Sequence, residues 1–438
     1  MAMARRVAER PAGKVTAVFS VEAEREAAFR FVESDEFSAV EIGAAAHRAT
    51  ARRSEGERFV CVPMDQTDLR ITDRKDSKSL GAIGDKRTSA RGLEVIDAIA
   101  TTLDGKPLGM CAQVHWARSK KPLHAGKKDP RLLHEKETRR WLEAMRQVRT
   151  AFEETGVTTT PWFQIDRGGD AWPLLIDAKL AETSWMTVRA SHSRRLLEED
   201  GERDHLWERV EREEILGTYD LDVPARAGGR AARSATLQLQ ACHVVLDVQR
   251  WPERDRVALG MWAVRVREIE TTPEGETPIE WMLLTTFPIR DRMQDAITVV
   301  LAYATRWRIE ELHKLWKSGA CRIEESQLGE REHLEKWATI SASVAIRLLR
   351  LTYLSRHHPE LPATEELSRA EIDAVILLTK PKGTKRGATP NISTAVRWIA
   401  DYGGYTGKSS GGPPGAIVIA RGLERIQAVA QVINDGKM

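Results

Sequence analysis

The chain has 438 residues, 42% apolar and 30% charged, which allows two or three domains around a sizeable core and excludes a disordered protein. Its 67 basic and 64 acidic residues leave a net charge of only +3, so a polyanionic partner must be met by local patches. Four widely separated cysteines without a C-x-x-C pair argue against a zinc site and a disulfide scaffold; the lack of any apolar run of about 18 residues argues against membrane spanning.

Met1-Ala2-Met3-Ala4-Arg5-Arg6 carries charge with no apolar stretch behind it, so a cytoplasmic protein is expected. Residues 20–54 predict two helices: Ser20 can cap the first, and Ser38-Ala39-Val40-Glu41 has capping-box spacing at the head of the second. The second ends in His47, Arg48, Arg52 and Arg53, a basic end that either lies against DNA or is simply solvated. From Arg58 the period changes, and Phe59-Val60-Cys61-Val62-Pro63-Met64-Asp65 reads as a strand delivering Asp65 at or near its end. Strand-like runs at 92–102 and 108–115 flank the turn Asp104-Gly105, which predicts a three-stranded meander. Five basic residues with no acid lie in 118–128, a loop suited to phosphates or to solvent.

Residues 130–154 read as a helix. After it, Pro161-Trp162-Phe163-Gln164-Ile165-Asp166-Arg167-Gly168-Gly169-Asp170 is a short apolar run ending in an acid and a turn. A helix at 171–181 and a strand at 185–189 complete an alternating α/β pattern. Strand-like runs at 218–223, 235–247, 258–267 and 281–286 do not alternate with helices, which predicts an all-β insertion at about residues 191–290.

A single helix is expected to start near Asp291, with Asp291 and Gln294 placed for reciprocal capping, and to run through Tyr303-Ala304-Thr305-Arg306-Trp307-Arg308-Ile309-Glu310 to Lys317, where Ser318-Gly319 stops it. At roughly 100° per residue, Tyr303, Arg306, Glu310, Lys314 and Lys317 share one stripe, and Leu301, Ile309, Leu312, Leu315 and Trp316 gather opposite. The stripe reads either as a solvated face laced with pairs such as Arg306–Glu310 and Glu310–Lys314, or as a lone carboxylate ringed by phosphate-binding groups, with Tyr303 and Trp307 to stack. Another helix is expected at 331–357. In the tail, 380–386 is a basic loop, and Gly403 to Ser409 is a turn rather than a phosphate loop, because Tyr402 stands where that motif needs its first glycine. A last helix at 416–434 carries Ile417, Ile419, Leu423, Ile426, Val429 and Ile433 as a packing or dimer surface.

An acid at a strand end is commonly a turn former or helix cap. Taken with Glu310, however, Asp65 and Asp166 can converge at the carboxyl ends of strands in one α/β sheet. Three carboxylates suit Mg²⁺ or Mn²⁺, and two such ions about 4 Å apart promote in-line displacement at phosphorus. The chemistry this points to is phosphoryl transfer on nucleic acid.

Tyr303, Arg306, Glu310 and Lys317 match the Y-x(2)-R-x(3)-E-x(6)-K (YREK) signature of bacterial cut-and-paste DDE transposases of the insertion-sequence-four type, and over roughly residues 58–357 the chain resembles that family. Asp65 in Met64-Asp65-Gln66-Thr67 and Asp166 in Ile165-Asp166-Arg167-Gly168 fall where the family carries its two aspartates. The resemblance implies an α/β, ribonuclease-H-like catalytic domain at 58–357 interrupted by the β insertion, a helical DNA-end-binding domain at 1–57, and a C-terminal dimerisation and DNA-contact region at 358–438. It implies catalysis by Asp65, Asp166 and Glu310 holding two Mg²⁺ or Mn²⁺ ions, and nicking, hairpin formation and strand transfer of transposon ends by a homodimer on terminal inverted repeats and target DNA. Tyr303, Arg306, Lys314, Lys317, Trp307, Arg167 and Arg189 would contact DNA, and Trp281 matches the residue on which the family stacks a flipped base. From the residues alone, Trp281 reads as a core tryptophan of a strand. Ser191 stands where close family members carry a lysine, with His192, Arg194 and Arg195 as nearby substitutes. The alternatives are a ribonuclease-H-like nuclease or resolvase that only hydrolyses, and a catalytically silent DNA-binding relic.

Overall fold

The computed structural model describes residues 2–73, 78–84, 90–118, 132–197, 203–224, 231–250, 253–407 and 412–436. Four helices come first: α1 (Ala2–Glu9), α2 (Val15–Val18), α3 (Glu22–Glu33) and α4 (Ala39–Arg53). The Ser38/Glu41 capping box forms as the spacing predicts, whereas α3 begins at Val21 without a side-chain cap, so Ser20 does not cap it. The basic end of α4 is not solvent-facing throughout: His47 is buried, Arg53 donates to the Leu108 carbonyl at 2.8 Å, and Arg48 pairs with Glu154 at 3.1 Å.

The strands are β1 (Phe59–Arg70), β2 (Gly81–Ala82), β3 (Arg91–Thr101), β4 (Pro107–Trp116), β5 (Thr160–Ile165) and β6 (Trp185–Arg189). Then come β7 (Arg195–Leu197), β8 (Arg203–His205), β9 (Gly217–Val223), β10 (Arg233–Gln249), β11 (Arg256–Glu268) and β12 (Glu280–Thr285). The meander is β1, β3 and β4, antiparallel in turn, and Gly105 at φ +88° makes the turn between β3 and β4. β5 and β6 run parallel to β1, and the order across this part is β4-β3-β1-β5-β6. Val60, Cys61, Val62 and Met64 are all fully buried, as a central strand covered on both faces requires. α5 (Thr138–Thr155) and α6 (Trp172–Leu180) supply the crossover helices.

The expected insertion differs from a separate β unit in two ways. β12 pairs antiparallel with β6, so β7–β12 extend the core into one 12-stranded mixed sheet, and the segment also holds a helix, α7 (Leu206–Glu211). The open edge of β6 gives the physical reason, since its unpaired N–H and C=O groups are satisfied by β12.

The single helix expected from Asp291 to Lys317 is two: α8 (Arg292–Ala304) and α9 (Trp307–Lys317). Asp291 caps α8 by accepting from the Gln294 N–H, but Asp295, not Gln294, accepts from the Asp291 N–H. The Thr305 hydroxyl donates to the Ala302 carbonyl at 2.6 Å, and the Thr305 N–H is shared between the Leu301 and Ala302 carbonyls. This back-bonding tightens the turn and separates the helices without Pro or Gly.

α10 (Arg331–His357) matches the expected span and is buried on nearly every side. Trp337 donates to the Gly13 carbonyl and Lys336 to the Ser34 carbonyl, which joins the N-terminal helices to α10. α11 (Arg369–Thr379) and α12 (Ile392–Tyr402) precede α13 (Ala416–Asn434), whose Ile419, Leu423 and Ile426 are buried against them while Ile417 stays exposed. Packing within the chain therefore uses most of that apolar face. Most of the basic stretch 118–128 lies outside the described residues; Arg118 itself pairs with Glu94 and Glu137.

Candidate active site

The parallel pairing of β1 with β5 ends at Met64 opposite Ile165, so the next residues, Asp65 and Asp166, stand side by side. β1 itself does not end there: Gln66 to Arg70 continue against β3 alone, and Asp65 lies where one of the strand's two partners stops. Asp166 then caps a short turn by accepting from the Gly168 N–H at 2.8 Å. Burial pushes the Asp65 carboxyl up to about 6, and the Asp166 charge adds to this, while His313, Arg306 and the Gln66 N–H act the other way.

Glu310 is linked to Asp65 through Arg306. Its guanidinium is 2.8 Å from Glu310 and 3.5 Å from Asp65, at the joint between α8 and α9. Of the two ion pairs expected along the stripe, Arg306–Glu310 is present; Lys314 has no such pair with Glu310 among the described residues, and is exposed toward a neighbouring groove. Lys317 reaches across to β1, donating to Asp68 at 2.8 Å and to Thr67 at 3.1 Å.

Tyr303 is buried at the end of α8, which raises its phenol above the ordinary 10. Trp281 on β12 is also buried, 6% exposed, with its ring 4.9 Å from Tyr303 and edge-on at 70°; Trp307 lies 6.1 Å away. Arg189 donates to the Glu280 carbonyl at 2.9 Å, and its Nε is buried without a hydrogen-bond partner. Burial holds the Arg189 guanidinium below its ordinary value. Arg167 is exposed on the turn after Asp166. Of the proposed substitutes near Ser191, Arg194 is drawn to the buried Asp170 and Arg195 lies 3.5 Å from Asp247.

Sequence reasoning missed the layer beneath. Asp97 sits opposite Asp65 on β3, fully buried, and accepts from Gln113 at 2.7 Å; His313 on α9 is 3.0 Å from its other oxygen. An acid inside the buried run Val95-Ile96-Asp97-Ala98-Ile99 was the available signal, because an unpaired buried carboxylate is too costly to persist.

Among the described residues, no three His, Cys, Asp or Glu side chains are gathered closely enough to hold an ion. The oxygen-only donor set of Asp65, Asp166 and Glu310 nevertheless fits Mg²⁺ or Mn²⁺ in kind, with Arg306 now standing between two of them. No family model matches this chain, and no helix among the described residues is long and apolar enough to cross a membrane.

Proposed function

We propose that the protein is a metal-dependent DNA phosphoryltransferase of the DDE type, acting on DNA ends as the YREK resemblance implies. The observation that carries this reading is the register: Met64 opposite Ile165 makes Asp65 and Asp166 neighbours, and Arg306 ties Glu310 to Asp65. The order β4-β3-β1-β5-β6, with β5 and β6 parallel to β1, supports a ribonuclease-H-like core.

Asp65, Asp166 and Glu310 would hold Mg²⁺ or Mn²⁺, which when bound activates a water or a 3′-hydroxyl and neutralises charge on the leaving oxygen. In a nick, the water oxygen bonds to phosphorus, the P–O3′ bond breaks, and the 3′ oxygen leaves to become a hydroxyl. In the strand transfer that follows, that hydroxyl is the nucleophile. Arg306 neutralises Asp65 and Glu310 in the ligand-free chain; once those carboxylates are engaged, its guanidinium is available to nonbridging phosphate oxygens. Arg167 and the unpartnered Arg189 Nε stand on the Asp166 and Tyr303 side, suited to phosphates near the cut. Lys317, held by Asp68, positions α9 on β1. Trp281 would have to turn out of its contact with Tyr303 to stack a base. That burial favours, as the second reading, a nuclease or resolvase that only hydrolyses.

The test is incubation of purified protein with labelled candidate end DNA and Mg²⁺, beside Glu310→Ala. A metal-dependent nick by the wild type alone supports the reading, and a hairpin product separates strand transfer from hydrolysis. A variant that nicks equally well, or a wild type that does not nick, overturns it.

A further inference from the structure

A cavity of about 530 Å³ opens on the flank of α9 next to the Glu310 face, between the C-terminal turn of α10 and the start of α13. Arg308, Lys314, Arg356, His357 and Arg421 all line it, and Glu311 is the one carboxylate among the described lining residues. Glu311 is already engaged, 2.9 Å from Arg308. Among the described residues, Lys314 and Arg421 have no carboxylate within ion-pair distance, and Arg356 donates to the Pro414 carbonyl at 3.0 Å with no ion-pair partner.

The wall behind these cations is aromatic and fixed. Tyr353 donates to the Asp104 carbonyl at 2.6 Å, the Arg308 guanidinium lies 4.8 Å over its ring, and His357 stacks on the ring at 4.4 Å. His357 is held below its ordinary 6.5 by burial and then by the charges of Arg308, Arg356 and His358, with Asp104 opposing. A surplus of unpaired cations around a concave, aromatic-backed groove is the complement of a polyanion.

We propose that this groove binds a second stretch of phosphodiester backbone, apart from the one at Asp65, Asp166 and Glu310. This rests on the nucleic-acid reading of that site. The two are continuous, because Lys314 follows Glu310 by one turn of α9, about 6 Å along its axis, and turns toward the groove. DNA crossing the carboxylates would therefore pass Lys314 before reaching Arg421 and Arg356.

The test is fluorescence anisotropy with a fluorescein-labelled 20-base-pair duplex and the full chain, from 50 to 200 mM KCl. The double variant Arg356→Glu/Arg421→Glu should bind at least 10-fold more weakly and flatten the salt dependence by about 2, since each lost phosphate contact on duplex DNA removes about 0.9 from the slope. Arg356→Gln/Arg421→Gln, with no reversed charge to disturb folding, should flatten the slope equally with a smaller loss. Arg167→Glu, at the other site, should weaken binding independently, so that the two losses multiply. Groove variants that bind like the wild type while Arg167→Glu does not would overturn the groove and leave the active-site reading standing. A wild type that does not bind the duplex would overturn both. Displacement of the duplex by polyglutamate as effectively as by unlabelled DNA would assign the groove to an acidic protein and overturn the proposal.

Discussion

Replacing Asp65 by Asn should make the protein more stable at neutral pH and leave it inactive. The carboxyl of Asp65 is pushed from the ordinary 3.8 up to about 6 in the folded chain, with its side chain only 21% exposed. A raised carboxyl binds its proton more tightly folded than unfolded, so the unfolded state ionises first as pH rises. The resulting penalty is absent below 3.8, grows between 3.8 and about 6, and is full above it, where it amounts to about 3 kcal/mol. Asn cannot ionise, keeps an oxygen for the Gln66 N–H, and leaves Arg306 its partner Glu310. Urea unfolding of both proteins from pH 4.5 to 8 measures the difference; for a chain of this size the first transition is the one to compare. The gain should be about 3 kcal/mol at pH 8 and shrink steadily toward pH 4.5. Adding Mg²⁺ at ten times its Kd should return about 1.4 kcal/mol to the wild type and nothing to the variant. An Asn variant no more stable than wild type at pH 8, or equally favoured at pH 4.5, would refute this account of Asp65.

His47 should show the opposite pH dependence. Burial lowers it from 6.5 to about 4, so folding is penalised as pH falls through that window, by about 3 kcal/mol at its foot; His47→Gln should remove this acid sensitivity in pH-dependent thermal melts. His313→Ala strips Asp97 of one of its two partners and should cost about 3 kcal/mol by urea unfolding, whereas Asp97→Asn/His313→Gln, which leaves no buried charge, should recover most of it. Trp281→Ala should cost about 3–5 kcal/mol from lost packing, and Trp281→Phe much less; if the Phe variant still forms nicks but no hairpin, the ring serves the DNA step as well as the core.

Legibility in the sequence followed the strength of local signals. The strand Trp185–Arg189 and the helices Arg331–His357 and Ala416–Asn434 stand where apolar period, caps and breakers put them. α11 was equally readable, since Ser368 and Glu371 repeat the capping-box spacing of Ser38 and Glu41, yet it was not anticipated. The break at Thr305–Arg306 was not legible, because a Thr hydroxyl competing for a backbone carbonyl leaves no breaker in the sequence. Asp65 and Asp166 could be singled out as acids after apolar runs, but their adjacency depends on a register between strands about a hundred residues apart. The Asp97–His313 contact is of the same kind: two residues from different elements whose pairing only tertiary packing creates.

The joint at Thr305–Arg306 distributes the candidate residues over two helices. Tyr303 sits on α8 with Trp281 beside it, and Glu310 and Lys317 sit on α9, which Lys317 fastens to β1 and Trp316 fastens to α10 through the Ala338 carbonyl. Arg306 sits on the pivot. The angle between the helices at these two residues therefore sets the spacing between the aromatic pair and Glu310. On the proposed function, that spacing is the gap a displaced nucleotide would cross, so substitutions that stiffen position 305 should alter how a substrate is bent more than how tightly it is held.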